Sequence, residues 1–369
     1  MKILIVKLGS IGDVIHAMPA VVRLRRAFPA ARLDWLVERY ARPVLNHAQA
    51  IDGIFEIDTL RWRKSYFSLE TWQEILLTLE KLRGIHYDVV FDLQGLWKSA
   101  VLAFFSNSRE IIGGDRNSLR EPHASIFYSR RVDRNQERGN VIFEHLKLVD
   151  PFILSRRDSE ETAPMDPAKP KELEFDRLFG EAEQDWVEEQ LTRQQWKDFA
   201  IVNPGANWKS KRWPVEKYAQ LSRRLSDELD WPVVITVGPS EKGMGEEILT
   251  HLTGQPAIML SPTLPQFAAL AGRARLFVGP DTGPLHIAAA TRTPIVGIYA
   301  STDPVRNGPY SPDDIVVQQN QCGRYCYRRD CGSRRCIAAI PVAAVFEAVQ
   351  ARLLRASSIS SKLPGPGNP

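Results

Sequence analysis

The chain has 369 residues, more than one hydrophobic core comfortably holds, so two domains are expected. Its 44% hydrophobic and 25% charged residues are ordinary for a soluble globular protein. The formal net charge of +4 suits a phosphorylated partner or an anionic membrane surface, but it is too small to argue for nucleic acid. No stretch approaches the roughly 18 apolar residues of a membrane span, and no signal peptide is recognised, so we expect a cytosolic protein.

The first half of the chain alternates short apolar runs with longer mixed segments. The runs predict strands at Lys2–Val6, Leu33–Val37, Gly53–Ile57, Asp88–Asp92 and Glu110–Gly113. Helix-like stretches lie between them, among them Met18–Phe28 and Leu69–Arg83. This alternation predicts right-handed βαβ units and a parallel sheet.

A polar, proline-bearing segment at 156–176 has no periodicity and is predicted to be a linker. A helical stretch at Ala182–Trp196 follows, and the strand pattern then restarts. The predicted strands of this half are Phe199–Asn203, Val233–Val237, Ala257–Leu260, Leu276–Gly279 and Ile295–Tyr299. We therefore predict an N-terminal domain at 1–155, a C-terminal domain at 177–340, a C-terminal helix at 341–355 and a disordered tail at 356–369.

The loop after the first strand reads KLGSIGDVIHAMP and carries a lone acid, Asp13. Asp13 could cap a helix, or it could be a catalytic carboxylate at the carboxyl end of a strand, where open α/β sheets bind ligands. Pro19 predicts that the main helix begins nearer Met18, which would leave Asp13 on an irregular turn. We favour the catalytic interpretation.

The most informative stretch of the second half is GPDTGPLHIAAA, at 279–290. A strand ends there, a loop of small residues turns, and a helix begins near the second proline. The free amides of Thr282 and Gly283 at that helix start are predicted to bind phosphate, with His286 facing the same anion. The alternative, that Asp281 or Thr282 only caps the helix, does not explain His286 or the two prolines.

Two further strand ends carry polar loops. The stretch NPGANWKSKRWP supplies Asn207 and Lys211, and a lysine there would neutralise charge on a leaving diphosphate, although a solvated basic loop is the alternative. Glu241 follows the next strand and could accept hydrogen bonds from ribose hydroxyls. Together these loops predict a nucleotide diphosphate site. Because neither G-x-x-x-x-G-K-[ST] nor G-x-G-x-x-G occurs, a P-loop NTPase and a nicotinamide dehydrogenase are disfavoured.

The four cysteines lie together, at Cys322, Cys326, Cys331 and Cys336. In a cytosolic chain, clustered thiols suggest metal binding more than disulfides, but the C-x-x-C pairs of common zinc sites are missing. A metal site and four reduced thiols in an arginine-rich surface loop are equally open, so the metal content is unknown.

The stretches KLGSIGDVIHAMPA, NPGANWKSKRWP and VGPDTGPLHIAAA resemble glycosyltransferase family 9, the heptosyltransferases, over roughly residues 1–350. These enzymes transfer heptose from ADP-heptose to the inner core of lipopolysaccharide. The resemblance implies a GT-B fold, an α/β architecture of two Rossmann-like, doubly wound parallel-sheet domains that face each other across a cleft. The N-terminal domain would bind the acceptor and the C-terminal domain the ADP-heptose donor. No other cofactor is implied.

Within the family, RWRKSYFS, FDLQGLWKSA and NSLREPHASIFYSRR are most similar to heptosyltransferase I, which acts on the Kdo region of Kdo2–lipid A. Asn140 and Glu144 depart from that pattern. A heptosyltransferase II-like enzyme, another family 9 enzyme with a surface-glycan acceptor, a GT-B sugar-nucleotide epimerase and a binding module without turnover are the alternatives.

The resemblance also implies roles for single residues. Asp13 would be the general base of an inverting displacement. The donor-binding residues would be Asn207, Lys211, Glu241, Asp281, Thr282, Gly283 and His286. Contacts to acidic Kdo carboxylates and lipid phosphates would come from Arg61, Arg63, Lys64, Lys98 and Arg120. The expected partners are the nucleotide sugar, a lipid A–Kdo acceptor and, transiently, the cytoplasmic face of the inner membrane, but not nucleic acid.

Overall fold

The computed structural model describes residues 1–65, 67–134, 139–156, 170–323, 325–333 and 335–360. The chain divides into two compact units, Met1–Leu178 and Phe179–Pro369. Each unit contains one six-stranded sheet in which the paired strands run parallel. The prediction of parallel sheets built from βαβ units is therefore confirmed for both halves of the chain.

The sheet of the first unit has the strand order β3-β2-β1-β4-β5-β6. Its strands are β1 (Lys2–Val6), β2 (Arg32–Glu38), β3 (Gly53–Ile57), β4 (Val89–Asp92), β5 (Glu110–Gly114) and β6 (Arg130–Val132). Strands β2 and β3 are added on one side of β1, and β4 to β6 are added on its other side, so the strand order switches between β1 and β4. Open α/β sheets bind ligands at the carboxyl ends of the strands beside such a switch point. Strand β6 was not predicted, because its short sequence RRV contains no apolar run.

The helices of the first unit cover both faces of this sheet. They are α1 (Ile11–Ala27), α2 (Thr59–Lys64), α3 (Leu69–Ile85), α4 (Trp97–Phe105) and α5 (Val141–Leu154), with short 3₁₀ helices at Arg42–Leu45, Pro122–Phe127 and Pro170–Glu172. Helix α1 packs against α5, whereas α4 packs against the second of the 3₁₀ helices. Among the residues that the structure describes, no helix combines the length and the apolar character that crossing a bilayer requires.

The sheet of the second unit has the order β12-β11-β10-β7-β8-β9. Its first strand, β7, has the next two strands on one side and the last three on the other, as β1 has in the first sheet. Its strands are β7 (Ala200–Val202), β8 (Val233–Thr236), β9 (Ala257–Leu260), β10 (Leu276–Pro280), β11 (Ile295–Tyr299) and β12 (Ile315–Gln318). The switch point lies between β7 and β10. Strand β12, a half-buried edge strand, was not predicted, although its sequence IVVQ contains a short apolar run.

Eight helices are found in the described part of the second unit. They are α6 (Glu181–Gln194), α7 (Val215–Leu229), α8 (Lys242–Thr250), α9 (Leu264–Arg273), α10 (Gly283–Ala290), α11 (Pro304–Asn307), α12 (Arg335–Ala339) and α13 (Val342–Ser360), with 3₁₀ helices at Lys209–Lys211 and Pro239–Glu241. The central strands β7, β8, β10 and β11 are buried on both faces. Strands that are buried on both faces have continuous apolar sequences, and for this reason these four could be predicted.

The prediction that the first long helix begins near Met18 is wrong. Helix α1 begins at Ile11, and Ser10 and Asp13 form a capping box in which the Ser10 amide donates to Asp13 Oδ2 at 2.7 Å. Pro19 lies inside the helix, where a proline costs about 3 kcal/mol. The burial of one whole side of α1 outweighs that cost. Asp13 therefore lies in the first turn of a helix and not on an irregular turn.

The end of the predicted linker belongs to the first unit. Leu173 and Leu178 are buried, and the Asp176 carboxylate accepts hydrogen bonds from the amides of Gln49 and Ala50 at 2.8 and 2.7 Å. The prediction for 157–169 lies outside the described residues.

The C-terminal helix is longer than predicted. Helix α13 reaches Ser360, so the prediction of disorder is wrong for 356–360, where no glycine or proline stops the helix. The rest of the predicted tail, 361–369, lies outside the described residues. A buried ion pair between Arg352 Nε and Asp314 Oδ1, 2.8 Å apart, ties α13 to the loop before β12.

Candidate functional site

The loop between β1 and α1 is fixed at the switch point of the first unit. Gln94, which follows β4, accepts hydrogen bonds through Oε1 from the amides of Leu8 and Gly9 at 3.1 and 3.3 Å. The Leu8 carbonyl accepts from the Glu38 amide at the end of β2 at 2.9 Å. The loop is thus held by both strands that neighbour β1, which gives the first turn of α1 a defined position.

Asp13 is a partly exposed carboxylate with charged and polar neighbours. Its Oδ2 accepts from the amide and the hydroxyl of Ser10 at 2.7 and 3.0 Å, and its Oδ1 lies 3.6 Å from Lys7 Nζ. Its side chain is 38% exposed, whereas that of Lys7 is 4% exposed. Burial acts to raise the pKa of Asp13, but Lys7, the Ser10 amide and His16 outweigh it, so the pKa is lowered. Asp13 is therefore ionised at neutral pH and can accept a proton.

The buried Asp92 holds the turn after β4, whose Gln94 in turn bonds to the loop between β1 and α1. Asp92 Oδ1 accepts from the amides of Gln94 and Gly95, each at 3.0 Å, and Oδ2 accepts from Ser99 Oγ and Tyr128 OH at 2.9 and 2.7 Å. Burial raises the pKa of Asp92 in spite of these bonds. Asp92 orients the turn that carries Gln94, and neither residue was predicted from the sequence as part of the site, although both lie in FDLQGLWKSA directly at a strand end.

Tyr40 lies beside the same loop. A Cβ atom on Gly9 would be 2.2 Å from the Tyr40 hydroxyl, so glycine is needed for the ring to come this close. Burial, Glu38 and Asp13 raise the pKa of Tyr40 to about 12. The hydroxyl therefore remains a proton-bearing donor near Asp13.

The predicted acceptor-binding residues fall into two groups. Lys98 Nζ is 3.0 Å from Glu38 Oε1 and 3.1 Å from Thr59 Oγ1, so this lysine is anchored at the end of β2. Arg61 pairs with Glu74. The other three, Arg63 and Lys64 on α2 and Arg120 on a separate loop, have exposed side chains. The structure thus brings Lys98 to the start of α2 and leaves three cations on the surface of this unit.

In the second unit, two predicted residues, Lys211 and His286, contact the carboxylate of a third, Asp281. Asp281, which follows β10, accepts through Oδ2 from Lys211 Nζ at 2.7 Å and from Thr302 Oγ1 at 2.7 Å. Its Oδ1 is 3.1 Å from His286 Nε2, and its carbonyl accepts from Lys211 Nζ at 2.9 Å. Burial acts to raise the pKa of Asp281, but His286 and Lys211 outweigh it and lower the pKa well below its usual range. Thr302 was missed, because nothing but its place after β11 marks it.

This geometry changes the expected role of Asp281. A carboxylate repels a phosphate, so Asp281 is suited to orient Lys211 and His286 and not to bind the anion itself. The Asp281 side chain also does not cap the helix: Thr282 is the residue before α10, and its hydroxyl donates to the Pro280 carbonyl at 3.3 Å. The amides of Leu285 and His286 donate to the Thr282 carbonyl, so the Thr282 and Gly283 amides precede the intrahelical bonds.

Glu241 and Asn207 complete the predicted donor set. Glu241 Oε2 accepts from the Gly238 amide at 3.1 Å, and a Cβ atom on Gly205 would lie 2.0 Å from that same oxygen. Glu241 therefore lies over the glycine that follows β7. Asn207 is exposed on the next turn, beside Trp208, whose ring centroid is 4.6 Å from Lys211 Nζ. The strand ends of β7, β8 and β10 thus present an acid, a lysine and helix amides together.

The known proteins that this chain resembles are heptosyltransferases. The family described as "Glycosyltransferase family 9 (heptosyltransferase)" matches residues 76–335, which is more than half of the chain. The lipopolysaccharide heptosyltransferase 1 of Pseudomonas aeruginosa is 27% identical over 342 residues, or 90% of this chain and 87% of that protein. The lipopolysaccharide heptosyltransferase 3 of Escherichia coli is 25% identical over 358 residues, or 95% of this chain and 99% of that protein.

A solved structure of similar fold is Escherichia coli heptosyltransferase WaaC with ADP. It has a TM-score of 0.75 and 25% identity, and the match covers 95% of this chain and 100% of that one. The predicted GT-B fold class is therefore confirmed by the two six-stranded sheets and this similarity. The chain belongs to glycosyltransferase family 9, the heptosyltransferase family, and is a glycosyl-transferring enzyme.

Proposed function

We propose that this enzyme transfers heptose from ADP-heptose to the Kdo region of the lipopolysaccharide inner core, as a heptosyltransferase I. The observation that carries the proposal is the group of Lys211, His286 and free helix amides around Asp281 at the carboxyl ends of the second sheet. The relative solved with ADP has the same fold, and type 1 enzymes are among the similar curated proteins.

In the donor site, each group has a distinct role. The Thr282 and Gly283 amides bind the diphosphate at the start of α10, where the helix dipole favours an anion. Lys211, held by Asp281, stabilises the charge that develops on the leaving ADP. Glu241 accepts hydrogen bonds from the ribose hydroxyls.

In the acceptor site, Asp13 is the general base. The acceptor hydroxyl loses its proton as its oxygen attacks the anomeric carbon from the side opposite ADP, so the configuration inverts. The lowered pKa keeps Asp13 ionised, and its 38% exposed side chain is accessible to a hydroxyl. Arg63, Lys64 and Arg120 contact the carboxylates and phosphates of the acceptor, with Arg61 and Lys98 beside them.

The two residues that depart from the type I pattern have a structural role in this chain. Asn140 precedes α5, and its Oδ1 accepts from the Ile142 amide at 3.1 Å, while Glu144 lies in the first turn of the same helix. Both stabilise the start of a helix. They remain departures from the type I pattern, so the acceptor is decided by the assay.

The test is a transfer assay with ADP-heptose and Kdo2–lipid A. We expect ADP release together with a product that is heavier by one heptose. An acceptor that already bears the first heptose distinguishes a type II enzyme, and ADP-heptose without any acceptor distinguishes an epimerase. Transfer to the heptosylated acceptor alone, or conversion without acceptor, would overturn the proposal.

Replacing Lys211 with alanine should weaken ADP binding by about tenfold or more, because a charge-assisted contact to a phosphate is lost. The matched control is Lys209→Ala, since Lys209 lies two residues away and pairs with Asp330 on the surface at 3.0 Å. Calorimetric titration with ADP measures both variants. An unchanged affinity in Lys211→Ala would remove the phosphate role.

We also propose that the enzyme acts transiently at the cytoplasmic face of the inner membrane. Helix α3 exposes Leu69, Leu76 and Leu77, although apolar side chains of a helix normally face the core. The exposed cations Arg63 and Lys64 lie on the neighbouring helix α2. Exposed apolar groups next to cations suit an anionic lipid surface.

Binding to vesicles that contain anionic phospholipid should fall by about tenfold in Leu76→Glu, because one buried leucine contributes about 1.5–3 kcal/mol. Leu354→Glu is the control, since Leu354 is also exposed, at 72% against 62% for Leu76, but lies on α13. Co-sedimentation without acceptor measures the effect. Equal binding of the two variants would argue against docking through α3.

A further inference from the structure

The four cysteines line one pocket of the second unit. Its other walls are Ser210, Ala300, Ser301, Asn320 and Ile337. The four cysteines are thiols and not disulfides, and the Cys322 thiol is within hydrogen-bonding reach of Cys336. Four thiols that are separated along the sequence and converge on one pocket require an explanation that an arginine-rich surface loop does not supply.

The loop that carries these thiols lies outside the regular secondary structure. Between β12 and α12, the residues that the structure describes form neither helix nor strand. Contacts that attach the loop include the amide and hydroxyl of Ser210, which donate to the Arg329 and Arg328 carbonyls at 3.3 and 2.6 Å. The Tyr327 amide donates to the Ser301 carbonyl at 3.0 Å, and Lys209 pairs with Asp330 at 3.0 Å. Small segments without a hydrophobic core are commonly stabilised by a metal or by disulfides.

The chemistry of the pocket suits a thiophilic metal. Four cysteine thiolates are the donor set of structural zinc sites and of iron–sulfur clusters. The C-x₃-C and C-x₄-C spacings within the two cysteine pairs fall in the range that structural zinc sites use. Ser210 and Ser301 add polar side chains to the same pocket, and their hydroxyl oxygens are 3.2 Å apart. Arg328, Arg329 and Arg335 lie in the same segment and add positive charge that balances the charge of a metal–thiolate centre.

The thiols are not already arranged around an ion. In the described ranges, no three histidine, cysteine, aspartate or glutamate side chains are placed so that they could hold a metal. Binding therefore requires the thiols to turn toward the pocket they share. A cysteine side chain turns about a single torsion with three staggered positions, and such a rotation moves its sulfur without moving its own backbone.

We propose that Cys322, Cys326, Cys331 and Cys336 bind a thiophilic metal centre, either a zinc ion or an iron–sulfur cluster, that fixes this loop against the donor site. Ser210, to which the loop is bonded, belongs to the same 3₁₀ helix as Lys211. Thr302, next to Ser301, donates to Asp281. A metal in the pocket would therefore hold the two segments that position the lysine. This second part rests on the proposed donor role of Lys211, whereas metal binding does not.

The test uses the full chain, purified without chelators and under nitrogen. Elemental analysis should find about one zinc per chain, or iron with sulfide and visible absorption. Cys326→Ser and Cys331→Ser should each reduce the metal to background, whereas Tyr325→Phe in the same loop should retain it. Cobalt added to the metal-free protein should give the intense absorption of thiolate ligation.

A chain that is purified without metal, takes up neither zinc nor cobalt, and forms no cluster with iron and sulfide would overturn the proposal. The proposal would also be overturned if the measured mass of the native chain were lower than the calculated mass by the hydrogens that disulfide formation removes. If the cysteine variants fail to fold, metal release from the native chain by a thiol-binding mercurial gives the same measurement. Metal removal should also weaken ADP binding several-fold. Bound metal with unchanged ADP affinity would overturn the positioning role, and bound metal without heptose transfer would overturn only the proposed function.

Discussion

Replacing Asp13 with asparagine should remove most of the turnover and leave ADP binding unchanged. A general base contributes about 10²–10⁴-fold to rate, and an amide cannot accept the proton of the acceptor hydroxyl. Asparagine keeps an oxygen for the Ser10 amide, so the start of α1 should survive. Steady-state rates of ADP release with ADP-heptose and Kdo2–lipid A measure the loss. Thermal unfolding and ADP titration are the controls, and a variant with near wild-type turnover would show that Asp13 is not the base.

The pH dependence gives a second view of the same residue. Because the pKa of Asp13 is lowered below its ordinary 3.8, the residue is ionised above that pH, and activity should be lost only as the pH falls through the lower value. The contacts of Asp13 also stabilise the fold, and this stabilisation is present above pH 3.8 and is lost as the pH falls through the lowered pKa. Lys7→Met removes the nearest cation, so the acid limb of kcat/KM should move to higher pH. If the acid limb of kcat/KM did not move, the titration of Asp13 would not be its cause.

Replacing Asp281 with alanine should strongly destabilise the second unit. Lys211 and the buried groups of His286 and Thr302 all bond to this carboxylate. Removing one partner from a buried ion pair costs about 3–5 kcal/mol, because the other charge is left without compensation. ADP binding should weaken as well, since Lys211 is no longer oriented. Urea unfolding and ADP titration measure the two effects.

Two comparisons make this result specific. Thr302→Val removes one neutral donor and should cost about 1 kcal/mol, well below the alanine variant. The lowered pKa of Asp281 means that its contribution is present above 3.8 and lost as the pH falls through its folded value, so wild type and variant should converge in strong acid. If Asp281→Ala were as stable as wild type at neutral pH, the network would not hold this part of the fold.

Several strands were predictable from their apolar runs, including the edge strands β3 and β9. The predicted bounds of β1, β3, β9 and β11 agree with the structure, because apolar runs flanked by turn residues mark them. The edge strand β6 has no such run, whereas β12 contains the short apolar run of IVVQ and was still not predicted. The start of α1 differs from the prediction because the capping box of Ser10 and Asp13 begins the helix in spite of Pro19.

The site was predictable in its loops but not in its contacts. Asp13, Lys211 and Asp281 could be picked out because each follows a strand or lies in a loop of unusual composition. Gln94 and Thr302 could not, because their partners are far away in sequence and come close only through the strand order. The role of Asp281 as an orienting group likewise depends on which three donors surround its carboxylate.

The winding of the two sheets has a consequence for how the chain is made. In each unit the first strand is central, and it pairs on one side with a strand that leaves the ribosome only after two others, as Ile3 with Val89 and Ala200 with Leu276. Until then, one edge of the first sheet presents unpaired backbone groups, the kind of surface that invites wrong pairing and recruits chaperones. The first unit, complete by Leu178, can close that edge while the second is still being synthesised.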